Sequence, residues 1–96
     1  MSSFIDTINN IKDGNIDDFE KIILKMKPTL KKYTNYMFKE EKEDTYAELT
    51  LALWESVVKI DYYNTEGEIV NFLHTAIRNR FYELYRKSRK KLIMSS

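Results

Sequence analysis

Five residues toward the C-terminal end, Arg78, Asn79, Tyr82, Arg86 and Arg89, recur at spacings of one, three and four residues. At about 100° per residue in a helix they gather on one side, with Thr75 beside them. Their side chains suit a nucleic acid for three separate reasons. Guanidinium groups pair with phosphates and give an affinity that falls as salt rises. The Asn79 amide can hydrogen-bond a base edge, and the Tyr82 ring can carry an unpaired base. Stacking on an aromatic ring is worth about 1–3 kcal/mol per base, comparable to one good base-specific pair. Tyr62, Tyr63 and Asn64 lie in a polar stretch shortly before this segment, and the two tyrosines offer further rings to unpaired bases. Against this stands a plainer assignment, in which Tyr82 and Tyr85 only cover neighbouring helices.

Charge favours the first assignment. Residues 78–96 carry seven basic side chains against the single acid Glu83, a local charge of +6. The other 77 residues hold nine basic and fourteen acidic groups, a charge of −5. A C-terminal helix dipole attracts positive charge, but seven cations exceed what it requires. An acidic body with a cationic end directs that end toward a polyanion.

Other chemistry finds little support. With 96 residues there is room for one domain. The chain has no cysteine, which excludes disulfides, thiolate metal sites and thiol nucleophiles. His74 is the sole histidine, placed at the edge of an apolar face, and reads as a packing residue and not a ligand. The carboxylate pairs Asp17/Asp18, Glu40/Glu41 and Glu43/Asp44 fall at helix starts or in a charged connector, where solvated capping groups are expected. Two isolated glycines make no phosphate loop. The expectation is a protein without catalytic residues, metal or cofactor. No run reaches the roughly 18–20 apolar residues of a membrane span and no signal opens the chain, so the expected address is the cytoplasm.

The elements that must position these residues are helices. Gly14, Gly67 and Pro28 are the only residues of their kinds, and apolar side chains recur every three or four positions. The class is all-α, a bundle of about four helices. The first, about 4–12, carries Phe4, Ile5, Ile8 and Ile11 and stops near Asp13 and Gly14. Asn15 caps the next, whose inner stripe is Phe19, Ile22, Ile23 and Met26. Pro28 either starts a new helix or kinks this one; Leu30, Tyr33, Tyr36 and Met37 continue the apolar side. After a charged connector over 39–44, the third helix, about 43–60, carries two apolar stripes. One is Tyr46, Leu49, Leu53, Val57 and Ile60; the other is Ala47, Leu51, Trp54 and Val58. Together they cover about 200° of the helix, twice what a surface helix needs. That width implies either a central position among the other helices, the commoner arrangement, or a second stripe kept for a partner. A polar loop over 61–67 leads to the last helix, about 68–91. Its core stripe is Ile69, Phe72, Leu73, Ala76, Ile77, Phe81 and Leu84, opposite the arginine face.

Two of these segments, taken together, resemble region two of bacterial sigma factors, in the alternative, extracytoplasmic-function-like branch. The run Glu43-Asp44-Thr45-Tyr46-Ala47-Glu48, continuing to Leu53-Trp54, is similar to the family's Glu-Asp-Leu-x-Gln-Glu-x-x-x-x-Leu-Trp helix. Phe72-Leu73, then Ile77-Arg78-Asn79, then Glu83 and Arg86, is similar to its Trp-Leu…Ala-Arg-Asn…Asp…Arg signature. Residues 15–32, with Asp17-Asp18 and Lys27-Pro28, resemble the toxin-gene sigma factors of low-GC anaerobes. The likeness covers about 15–91.

The resemblance implies a transcription-initiation module. Asp44, Glu48, Leu51 and Trp54 on the third helix would dock on the β′ clamp of core RNA polymerase. Arg78, Asn79, Tyr82, Arg86 and Arg89, with the loop residues Tyr62, Tyr63 and Asn64, would hold promoter DNA at the minus-ten element as a melted non-template strand. The family's second promoter-reading domain would lie outside this chain, as in an excised fragment, a split co-sigma subunit or a mobile-element regulator. An anti-sigma factor or a separate co-sigma subunit would then be a further partner. Two other functions fit the residues: a helix-turn-helix-like regulator that binds duplex DNA, and a helical adaptor that binds protein only.

Overall fold

The structure is a computed structural model that describes residues 4–60 and 65–94, with side chains as far as Arg89. Four helices make up the fold: α1 (Phe4–Lys12), α2 (Phe19–Thr34), α3 (Lys42–Lys59) and α4 (Glu66–Met94). No strand occurs among the described residues, so the chain is a small all-α bundle. Short 3-10 turns at Ile16–Asp18 and Lys39–Glu41 lead into α2 and α3. The expected connector over 39–44 is therefore largely helical.

The core comes from one stripe per helix. Ile8 and Ile11 of α1, Ile22, Met26 and Leu30 of α2, Leu49, Leu53 and Val57 of α3, and Ile69, Leu73, Ile77 and Phe81 of α4 are all buried in one cluster. Each fully buried Leu or Ile contributes about 1.5–3 kcal/mol relative to exposure. α3 and α4 share the largest interface, and α2 packs on both. With 29 residues, α4 is roughly 43 Å long at 1.5 Å per residue. It therefore sets most of the 51 Å long dimension of the molecule.

Local chemistry explains the element ends. α1 closes at Gly14, whose φ of 111° is open to a residue without a Cβ. The Gly14 N–H bonds the Ile11 carbonyl and the Asn15 N–H bonds the Asn10 carbonyl, the paired bonds of a Schellman ending. Asn15 makes no side-chain cap, contrary to expectation. The 3-10 turn separates it from α2, and Asp18 instead accepts a hydrogen bond from Asn10 Nδ2 at 3.1 Å. α2 runs unbroken through Pro28. Pro28 lies on the exposed side of the helix, where solvent can satisfy the carbonyl that its missing N–H leaves free. α4 begins two residues earlier than the periodicity suggests. Thr65 caps it, its Oγ1 accepting the Glu68 N–H at 3.2 Å.

Three expectations about the core are corrected. Tyr36 and Phe72, read as inward-facing, are exposed. The second stripe of α3 does not make that helix central: Leu51 is 46% and Val58 51% exposed. α3 packs against α2 and α4 and leaves Ala47, Leu51 and Val58 exposed.

Candidate nucleic-acid and partner-docking surfaces

α4 buries Ile69, Leu73, Ile77 and Phe81 at four-residue spacing, which fixes its rotation against α2 and α3. That rotation turns Arg78, Asn79, Tyr82, Arg86 and Arg89 outward, and all five are exposed. A shallow open depression lined by Asn79, Tyr82, Glu83, Tyr85 and Arg86 runs along this side. Phe72 joins the same side, about 20° from Asn79 by the helical step. The result is an exposed ridge of guanidinium groups, an amide and aromatic rings, able to bind an anion and a ring face together.

Arg80 belongs elsewhere. It is only 26% exposed and points to α3, its Nη1 2.9 Å from Glu48 Oε2 and its Nη2 3.4 Å from Glu55 Oε2. Glu83 on its own helix completes the set at 3.9 Å. Arg80 is thus a clasp between α3 and α4, and one of the seven terminal cations is already engaged. The sequence held a signal for it. Glu48 and Glu55 stand two turns apart on α3, and Arg80 is rotated about 100° from Asn79 toward the packed side.

The four residues expected to meet a polymerase do not share one free face. Asp44 and Leu51 lie on the exposed outer side of α3, with Ala47 and Val58. Glu48 is engaged with Arg80 at the α4 edge. Trp54 is half-buried at the α2 edge, its ring edge-on to Phe19 with centroids 4.9 Å apart. The exposed surface of α3 is therefore an apolar strip bordered by carboxylates, with Trp54 as its partly covered margin.

Tyr62, Tyr63 and Asn64 lie outside the described residues. The positions on either side of that segment are fastened by α1. Lys12 Nζ donates to the Ile60 carbonyl, and the Phe4 N–H donates to Glu66 Oε1. A further tie has no signal in the spacing of the sequence: Ser88 Oγ, buried in α4, donates to Glu41 Oε2 in the turn before α3. His74 packs as a half-buried ring, 6.1 Å from the Tyr33 centroid.

Among the described residues no group of three His, Cys, Asp or Glu side chains is placed to hold a metal ion, and no helix is long and apolar enough to cross a membrane. Comparison with protein-family models, curated proteins and solved structures finds no match.

Proposed function

We propose that this chain is a transcription-initiation module similar to sigma region two, working in the cytoplasm and holding core RNA polymerase with one helix and promoter DNA with another. One observation carries the reading: α3 and α4 each leave outside the bundle a surface that folding does not use, and the two differ in kind. The α3 strip, with Leu51 at its centre and Asp44 on it, suits the polymerase clamp. Trp54 and Glu48 act there as supports, one bracing α3 on Phe19 and the other holding Arg80. The α4 ridge suits a melted minus-ten strand. Its arginines meet phosphates, Asn79 reaches a base edge and Tyr82 stacks.

Core polymerase from a low-GC anaerobe, passed over the immobilised chain, tests the first half. The wild-type chain retains it; Leu51→Glu loses it with an unchanged circular dichroism spectrum, because Leu51 has no role in the core. Retention by Leu51→Glu equal to wild type contradicts the docking. A footprint on duplex DNA without polymerase would favour a duplex regulator. Absence of any salt-dependent DNA affinity would favour a protein adaptor.

A further inference from the structure

The sequence places base-stacking rings on α4 and in the loop before it, and assigns Tyr36 to the core. The fold sets two exposed rings from distant segments against one buried ring. Tyr36, just past the end of α2, is 59% exposed, and Tyr82 on α4 is 51% exposed. Both stand against the same buried ring, Phe81, with centroids 5.9 Å and 5.6 Å from it. Tyr33 at 5.1 Å and Tyr85 at 5.8 Å hold Phe81 from other directions. The two outer tyrosines therefore rest on a fixed aromatic floor, with much of each ring left to solvent. The exposed parts of both rings are available to a stacking partner.

Cations fringe this surface. Lys32 Nζ lies 5.5 Å from the Tyr33 centroid, and the Arg89 guanidinium 6.0 Å from that of Tyr85. By the helical step Arg78 and Arg89 fall within about 40° of Tyr82 on α4. Glu83, the one acid on this side of α4 among the described residues from 78 onward, lines the depression beside Tyr82 and is paired at 3.9 Å with Arg80. Exposed ring faces inside a positive fringe match a strand that offers bases and phosphates together. A duplex hides its base faces, and an apolar peptide has no use for the cations.

We propose that Tyr36 and Tyr82 form a two-ring platform for the bases of a single nucleic-acid strand, with Lys32, Arg78 and Arg89 holding its phosphates. This rests on the nucleic-acid half of the function proposed above and is independent of the polymerase half. Tyr36 is the new binding residue.

Fluorescence anisotropy on the full chain tests it, with a labelled single strand of about 12 nucleotides and the same sequence as duplex. Tyr36→Ala weakens strand binding about tenfold, as the loss of one stacked base requires. Tyr36→Phe stays within about twofold of wild type, since the ring and not the hydroxyl stacks, and duplex affinity is the same in all three proteins. Tyr82→Ala repeats the loss from the other ring. Unaltered strand binding by Tyr36→Ala, or equal losses on strand and duplex, overturns the platform. Polymerase retention run in parallel separates the two claims. Strand stacking without retention keeps the platform and removes the transcription role; retention with no strand binding by the wild-type chain removes the platform.

Discussion

α3 and α4 solve the same packing problem and then diverge. Each buries a stripe at three- and four-residue spacing, and each leaves its opposite side to solvent. On α3 that side carries Leu51 and Val58; on α4 it carries Arg78, Asn79, Tyr82, Arg86 and Arg89. The apolar residues of the two buried stripes are nearly interchangeable in chemistry, Leu, Ile, Val and Ala with one Phe, because a small core asks mainly for apolar volume; Thr45, Ser56 and Ser88 are buried beside them. The outer sides share nothing. Two residues two positions apart make the point: Leu53 is fully buried and Leu51 is 46% exposed on the same helix. What folding demands is on one side of each helix, and the other side is left free to carry different chemistry.

The strongest way to break this contrast is to shorten both leucines. Leu53→Ala opens a cavity and costs about 2–5 kcal/mol in urea unfolding, whereas Leu51→Ala stays within about 0.5 kcal/mol. Equal losses would make the outer strip part of the core. On α4 the corresponding cut is Arg78→Ala with Arg86→Ala. Each phosphate contact contributes about 0.7 to the salt slope on a single strand, so the double variant lowers the slope of log affinity against log salt by roughly 1.4. An unchanged slope would take both arginines out of the footprint. Arg80→Ala sharpens the boundary between the two sides. It costs about 1 kcal/mol of stability, since its carboxylate partners are themselves partly exposed, and leaves the salt slope as it was. Gly67→Ala has the smallest effect. Gly67 lies in the first turn of α4, where an added Cβ meets only Thr65 Oγ1 at 3.7 Å, and stability rises by about 0.5–1 kcal/mol in thermal unfolding.

Periodicity made the buried stripes legible, because an apolar residue every third or fourth position has one low-energy orientation. Ile8, Ile22, Leu30, Leu49, Leu53 and Leu73 all lie where that spacing puts them. Periodicity says nothing about how many neighbours a helix has. Tyr36 and Phe72 continue their stripes on paper yet lie outside, and the width of the α3 apolar arc suggested a central helix that three companions do not make. The cap of α4 is present in the sequence itself. Thr65-Glu66-Gly67-Glu68 has the form of a capping box, although Gly67 by itself favours a loop. Of the candidate residues, the five on α4 could be grouped from spacing alone. That Glu48 is engaged by Arg80, and Trp54 by Phe19, required the packing of one helix on another.

The central claim, that the two outer sides serve two different clients, is tested most directly by a crossed separation of function. Core polymerase retention and single-strand affinity are both measured for Leu51→Glu and for the Arg78→Ala, Arg86→Ala double variant. The account predicts that Leu51→Glu loses polymerase and keeps the strand, and that the arginine variant does the reverse. Loss of both clients together in either variant, with the helical spectrum intact, would contradict it.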